Sequence, residues 1–308
     1  LETKTITPPE EPYAGWSTLA RRANGELWVS WSGGRDSHIC PLGQVKAMTS
    51  KDDGATWTYP RVLLDGPIDD RDSGVLETAK GTLLVTTFTS LAYEERGLLV
   101  KQTPERQARW KAAQDRLTAE ERLLYVGKQL WTKEGRIGVA ESKDDGLTWT
   151  WLSEIPTRPG DEVKKGYHEL FALETDDGRI VAQIRNHNKP DVGTTLQTES
   201  TDGGKTWTVP QAIGVWGLPS HLLKLKDGRL LMTYGYRRKP YGNQARISAD
   251  QGRTWSEPMI VSADGAAGDL GYPSTVELAD GTLLTVWYEN MKDLGKAVLR
   301  QAKWKIGK

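Results

Sequence analysis

The sequence is poor in cysteine, in phenylalanine and in net charge. Its one cysteine, Cys40, excludes a disulfide within the chain, and there are only two phenylalanines. Lys plus Arg and Asp plus Glu are equal, at 41 each, so we expect no nucleic-acid partner and no acidic tail. No apolar run approaches the roughly 20 residues of a membrane-spanning helix. The chain has instead 32 glycines and 13 tryptophans, which is typical of β-rich proteins with many tight turns.

The length of 308 residues permits a large buried core, in one big domain or two ordinary ones. The sequence begins with Leu1 rather than Met, which is consistent with a removed leader. We therefore expect a secreted or periplasmic protein.

An octapeptide of the form Ser-x-Asp-x-Gly-x-Thr-Trp occurs four times, at Ser50, Ser142, Ser200 and Ser248. The Ser and Asp side chains can bind backbone N–H groups within a turn, and Gly adopts backbone angles that other residues avoid. A calcium site in each copy would need more carboxylates. The octapeptide therefore predicts a structural loop.

A second repeated phrase predicts β-hairpins, because apolar and β-branched residues flank a turn glycine. The five turn glycines are Gly25, Gly81, Gly178, Gly228 and Gly281. In four of the five cases an octapeptide follows, so each repeat reads as four strands.

Four-stranded repeats arranged radially form a β-propeller. We predict an all-β fold with one propeller domain over residues 1–308, built from antiparallel blades. The five hairpins predict five blades, and a sixth is possible between Thr89 and Gly166. The N-terminal segment can supply the outer strand of the last blade.

The second repeat is longer than the others. Its turn at Gly81 and its octapeptide at Ser142 are separated by 61 residues, against 20 to 25 elsewhere. Residues 103–125 contain a Thr cap, an early Pro and strong helix formers. We predict that they form a helical insertion in blade two.

The loops at the ends of the blades opposite the octapeptides collect chemically active side chains. Arginines on several blades indicate an anionic ligand, since a guanidinium pairs with a carboxylate in bidentate fashion. The histidines do not form HxH or HxxxH pairs, so we predict no metal site and no cofactor. The candidates are Arg35, Asp36, His38, Asp70, Arg71, His168, Glu169, Arg185, His187, His221, Tyr236, Arg237 and Tyr272.

The octapeptides and hairpins together resemble the Asp-box (BNR) repeats of the sialidase, or neuraminidase, superfamily over nearly the whole chain. Sialidases use a Tyr nucleophile assisted by a Glu, an Asp acid/base and three Arg residues that hold the substrate carboxylate. The resemblance implies Tyr272 as nucleophile, Glu169 as its partner and Asp36 as acid/base. It also implies Arg185, and either Arg237 or Arg238, as carboxylate ligands.

The first blade departs from the family pattern. Sialidases open this blade with an Arg-Ile-Pro phrase, whereas here the equivalent stretch is "AGWSTL" from Ala14. Arg35 or Arg71 could replace the missing arginine, although neither stands at the matching position.

Three functions follow as hypotheses. The first is a sialidase-like glycoside hydrolase that removes a terminal, acidic sugar from a glycan. The second is a polysaccharide lyase that cleaves a uronic-acid glycan by β-elimination, with Tyr or His as base and acid. The third is a glycan-binding propeller without catalysis.

Overall fold

The computed structural model describes residues 2–120, 137–162 and 166–307. The chain divides into two compact units. The N-terminal unit comprises Lys4–Leu130 and Val286–Gln301. The C-terminal unit comprises Leu1–Thr3, Trp131–Thr285 and Ala302–Lys308. The predicted single domain over 1–308 stays a prediction.

The N-terminal unit contains a four-stranded antiparallel sheet and a two-stranded one. In the first sheet burial decreases outwards: Leu27, Val29 and Trp31 of the second strand are inaccessible to solvent, and the outermost strand is exposed along its whole length. The strands of the first sheet, in spatial order, are β2 (Gly15–Arg21), β3 (Leu27–Gly33), β4 (Gln44–Ser50) and β5 (Arg61–Leu64). The second sheet pairs β6 (Asp69–Glu77) with β7 (Leu83–Ser90).

Short helices follow β7. They are α1 (Ala92–Glu95), a 3-10 turn at Leu99–Lys101 and α2 (Pro104–Asp115). Helix α2 begins where the sequence predicts, because the hydroxyl of Thr103 accepts a hydrogen bond from the backbone N–H of Arg106. Its buried Trp110 joins a small apolar cluster that includes Cys40, so the helix packs against the loop after β3.

The C-terminal unit contains two four-stranded antiparallel sheets and one two-stranded sheet. The two-stranded sheet pairs β8 (Gly138–Glu141) with β9 (Thr150–Glu154). The second sheet has the order β10 (Tyr167–Glu174), β11 (Ile180–Asn186), β12 (Thr194–Ser200) and β13 (Gln211–Trp216). The third has the order β14 (Ser220–Lys224), β15 (Leu230–Tyr236), β16 (Tyr241–Ser248) and β17 (Met259–Gly265).

One more four-stranded sheet contains strands from both ends of the chain. Its order is β1 (Thr3–Thr5), β20 (Lys296–Trp304), β19 (Leu283–Met291) and β18 (Leu270–Glu277). The prediction that the N-terminal segment supplies the outer strand of the last repeat is confirmed.

These repeated sheets confirm the all-β class and are consistent with a propeller-like fold. The second repeat differs from expectation: within the described residues its strands form two separate sheets, β6–β7 and β8–β9, where the sequence predicts one four-stranded blade. Helix α2 lies in the long connection between them. Residues 121–125 of the predicted insertion lie outside the described residues. The number of blades and the assignment of the insertion to blade two stay predictions.

The four octapeptides form the same hydrogen-bonded loop. In the third copy, Asp202 accepts hydrogen bonds from the Ser200 hydroxyl (2.8 Å) and from both the backbone N–H (2.9 Å) and the hydroxyl (2.6 Å) of Thr206. The Ser200 hydroxyl in turn accepts a bond from the backbone N–H of Gly204, at 2.9 Å. Both carboxylate oxygens are thus used inside the turn, which is the structural role that the sequence predicts.

Because these hydrogen bonds favour the ionised carboxylate, the pKa of Asp202 is lowered to about 2, chiefly by Thr206. An unfolded Asp titrates near pH 3.9, so the stabilisation is complete above that value and is lost as the pH falls towards 2. We predict that Asp202→Ala lowers the melting temperature at pH 7 by a few degrees. It should also reduce the decrease in melting temperature between pH 5 and pH 2, measured by circular dichroism.

The matched control is Asp293→Ala, at an exposed position outside any octapeptide, which should leave the melting curve unchanged. An equal acid dependence in Asp202→Ala and the unmodified protein would contradict the assignment.

Candidate functional site

The first strands of three hairpins are irregular near their start. The pairing register shifts between Gly15 and Thr18, between Arg71 and Gly74, and between Tyr167 and Leu170. Such a β-bulge leaves residues outside the regular ladder and changes the direction in which their side chains point. In these three repeats, residues near the start of the first strand therefore do not follow the regular alternation of side chains in the sheet.

Four side chains occupy this position: Trp16, Asp72, Glu169 and Tyr272 each stand nine residues before the glycine of their hairpin turn. Trp16, Asp72 and Tyr272 have positive φ angles of 55°, 43° and 53°. Residues other than glycine avoid such angles, and these conformations cluster at functional sites. The spacing in the sequence identifies these four residues as equivalent, and three of them share an unusual backbone conformation.

In the C-terminal unit this arrangement brings Tyr272 and Glu169 together with Arg185. The Tyr272 hydroxyl donates a very short hydrogen bond to Glu169 Oε1. Arg185 Nη1 donates to the Tyr272 hydroxyl at 3.1 Å and pairs with Glu169 Oε2 at 3.1 Å. The tyrosine oxygen therefore lies between a carboxylate that can take its proton and a guanidinium that can stabilise its negative charge.

The electrostatics of this cluster keep Glu169 ionised. Burial by itself would raise its pKa, but the positive charge of Arg185 and the hydrogen bond from Tyr272 outweigh it, and the pKa is lowered. The Glu169 side chain still has 31% of its surface exposed. A partly exposed, ionised carboxylate in contact with a phenol is the arrangement that a general base requires.

Two of the predicted histidines adjoin this cluster. The His187 ring lies 4.5 Å from the exposed ring of His168, centroid to centroid. His187 Nε2 accepts a hydrogen bond from Arg185 Nε at 2.9 Å, which requires an unprotonated nitrogen. Burial and the nearby charge of Arg185 lower the pKa of His187 to about 4, so its imidazole is neutral at pH 7.

His221 has a different environment. It is only 9% exposed, its ring packs 4.4 Å from Phe171, and burial lowers its pKa to about 4. This burial weighs against the predicted contact with a glycan. Tyr236 lies edge-on to Trp216, and half-buried Arg237 donates from Nε to the carbonyl of Leu270 at 2.8 Å, next to the start of β18.

In the N-terminal unit, Arg35 and Asp69 form a fully buried ion pair, with 2.7 Å between Nη2 and Oδ1. Arg35 also donates to the Ser32 hydroxyl at 2.6 Å and to the carbonyl of His38 at 3.0 Å. The predicted ligand-binding residue Arg35 is thus engaged inside the protein, and its contacts are those of a structural anchor.

Trp16 packs against both predicted arginines of this unit. The guanidinium of Arg71 lies 4.4 Å from the Trp16 ring centroid and that of Arg35 lies 4.9 Å away. Arg71 also approaches Asp69, at 3.5 Å, and His38 meets the Trp16 ring edge-on at 4.9 Å. The stretch that stands where the family has its Arg-Ile-Pro phrase therefore contributes an almost buried aromatic ring, Trp16.

The two acidic residues that the sequence predicts for the site in this unit, Asp36 and Asp70, both have hydrogen-bond partners within the protein. Asp36 accepts a hydrogen bond from the indole N–H of Trp110 at 3.0 Å and pairs with Arg109 at 3.0 Å, so it anchors helix α2. Asp70 is fully buried and accepts a bond from the backbone N–H of Gly66 at 2.6 Å. Burial raises the pKa of Asp70 to about 6. The acid/base role of Asp36 stays a prediction, and its contacts favour anchoring.

The chain is similar in sequence to a known family of repeats and to known sialidases. A family model described as a BNR repeat-like domain matches residues 161–285. A sialidase from Clostridium perfringens is 25% identical over 232 residues, which are 70% of this chain and 53% of the relative. The chain thus spans about half the length of that curated relative.

Solved structures extend the likeness to the whole chain. A protein of unknown function from Dyadobacter fermentans has a TM-score of 0.74 at 23% identity, covering 100% of this chain and 98% of its own. A leech intramolecular trans-sialidase has a TM-score of 0.63 at 13% identity, covering 99% and 70%. At these identities the structural likeness shows the fold.

This chain is thus similar to sialidases in sequence and in fold. The predicted resemblance to the sialidase superfamily is confirmed. In this sialidase-like chain two residues of the recurring position, Trp16 and Asp72, are absent from the sequence-predicted candidates. The constant spacing of nine residues before each turn glycine is the signal that could have identified them.

We predict that Arg35→Met destabilises this sialidase-like chain by up to about 3–5 kcal/mol, because it removes the nearer counter-charge of buried Asp69 and leaves only the longer contact with Arg71. Chemical denaturation at pH 7 measures the change. The double variant Arg35→Met/Asp69→Asn should recover part of the loss, since it also removes the buried negative charge. Arg106→Met, on the exposed face of α2, is the control and should unfold like the unmodified protein. A fully stable Arg35→Met variant would show that the pair contributes nothing.

Proposed function

We propose that this chain is a sialidase-like glycoside hydrolase in which Tyr272 is the nucleophile and Glu169 its general base. The observation that carries the proposal is the hydrogen bond from the Tyr272 hydroxyl to Glu169, within the cluster formed with Arg185. The positive φ of 53° at Tyr272 supports it, because such backbone strain is retained where a side chain must point in a required direction.

The proposed reaction has two steps. In the first, the Tyr272 oxygen attacks the anomeric carbon, its proton passes to Glu169, and the bond to the aglycone oxygen breaks with its electron pair, after which that oxygen takes a proton from solvent. In the second, water attacks the anomeric carbon and gives its proton to solvent. The Tyr272 oxygen then leaves and takes back the proton from Glu169. Two displacements at the same carbon retain the anomeric configuration.

The substrate class that we propose is a terminal sugar of a glycan, with or without a carboxylate. The predicted acidic sugar rests on three arginines, and the stretch "AGWSTL", which stands where the family has its Arg-Ile-Pro phrase, contains none. Within the N-terminal unit, Arg35 and Arg71 both approach Asp69 and both stack on Trp16. These contacts support a site that is less selective for a carboxylate than the family pattern implies.

We predict that Tyr272→Phe lowers kcat/KM by at least about 10⁴-fold, as removal of a nucleophile does. Glu169→Gln should lower it by about 10²–10⁴-fold, the usual contribution of a general base. Release of 4-nitrophenol from aryl glycosides of sialic acids, uronic acids and neutral sugars measures both effects.

The matched control for Glu169→Gln is Glu174→Gln, at an exposed position of the same strand β10, and for Tyr272→Phe it is Tyr59→Phe, which is 74% exposed. Both controls should keep the rate of the unmodified protein. Unchanged turnover in folded Tyr272→Phe and Glu169→Gln would refute the assignment.

We further predict that the first product carries the anomeric configuration of the substrate, observed by proton NMR before mutarotation. The products should also lack the ultraviolet absorbance of an unsaturated uronic acid. An inverted product would exclude Tyr272 as the covalent nucleophile. An unsaturated product would establish the lyase hypothesis instead.

A further inference from the structure

Arg185 contacts both members of the catalytic pair of the proposed function. It stands at the end of β11, with 13% of its side chain exposed. Its Nη1 atom donates to the Tyr272 hydroxyl at 3.1 Å and to Glu169 Oε2 and Oε1 at 3.1 and 3.3 Å. One guanidinium nitrogen therefore contacts both the proposed nucleophile and the proposed base.

The other end of this guanidinium is also bound. Arg185 Nε donates to His187 Nε2 at 2.9 Å. A protonated imidazole has no acceptor at that nitrogen, so the contact requires neutral His187, which the burial of the ring favours. His187 thus fixes the plane of the guanidinium and directs Nη1 at the Tyr272 oxygen.

These contacts conflict with the role that the family pattern implies for this arginine. A guanidinium binds a carboxylate in bidentate fashion through two neighbouring nitrogens, Nη1 with Nη2 or Nε with Nη2. Both pairs include a nitrogen that already donates within the protein. A bidentate contact with a substrate carboxylate would compete with the bond to His187 or with those to Tyr272 and Glu169.

We propose that Arg185 is a catalytic residue that acts on the nucleophile, and that His187 is its positioning residue. This inference rests on the proposed function. As the Tyr272 proton passes to Glu169 and the tyrosine oxygen forms its bond to the anomeric carbon, Arg185 stabilises the negative charge on that oxygen. It does so again when the oxygen leaves in the second step. Preorganised donors of this kind typically contribute about 10²–10³-fold to kcat.

The experiment uses the full chain and a pair of 4-nitrophenyl glycosides that differ only in a carboxylate, such as a glucoside and a glucuronide. The pair is selected from the sugars that the unmodified protein hydrolyses. Arg185→Ala should lower kcat by at least about 100-fold on both members of the pair, with little change in KM. Guanidinium chloride at millimolar concentration should restore part of kcat.

Three further variants keep the test decisive if Arg185→Ala does not fold. Arg185→Lys keeps the positive charge but loses the fork, so its kcat should also fall on both substrates. His187→Gln keeps an acceptor for Arg185 Nε and should remain within about threefold of the unmodified kcat, whereas His187→Leu should lose most of it. Arg253→Ala, in the fourth octapeptide and 56% exposed, is the control and should behave as the unmodified protein.

The outcomes separate this inference from the function on which it rests. A rise in KM confined to the glucuronide, with kcat preserved, would identify Arg185 as a carboxylate ligand and overturn the inference. So would unchanged kinetics, or the absence of any rescue by guanidinium in folded Arg185→Ala. An unmodified protein that hydrolyses none of the glycosides would overturn the proposed function itself, and this inference with it.

Discussion

The candidate site depends on a backbone constraint that recurs at the start of the hairpins. Regular pairing fails there, and three non-glycine residues, Trp16, Asp72 and Tyr272, take positive φ angles. A regular strand would point these side chains alternately to the two faces of its sheet. The bulge releases them from that alternation, so one position per repeat can present a functional side chain.

The two repeated features of the chain have different physical roles. In the octapeptides the Asp carboxylate is consumed by hydrogen bonds within its own turn, as at Asp202. It therefore stabilises the loop and offers nothing to a ligand. Glu169 is also hydrogen-bonded and paired, but its partners are the Tyr272 phenol and Arg185 rather than its own turn. A carboxylate stabilises a loop in one place and is proposed to take a proton in the other, and the phenol beside it makes the difference.

Three of the arginines that the sequence predicts as ligands make contacts with other residues of the protein. Arg35 neutralises the buried Asp69, Arg71 stacks on Trp16, and Arg185 contacts Tyr272 and Glu169. Each guanidinium thus has protein partners within its own unit. A charged side chain near a pocket is evidence for an anionic ligand only when its charge is not already balanced by neighbouring acids. This is the physical basis for proposing a substrate that does not require a carboxylate.

The sequence by itself determined the all-β class, the hairpins, the octapeptide loops and the resemblance to the sialidase superfamily, because these depend on local turn chemistry and on short repeated spacings. Tyr272 and Glu169 even share one position in the sequence repeat, nine residues before their turn glycines. Only the tertiary structure decided which candidates are available for chemistry. His221 is buried, so a ligand in solution has little access to it. Asp36 is bound by helix α2, which lies more than 60 residues further along the chain. Such contacts arise from packing between distant segments, so no local pattern can predict them.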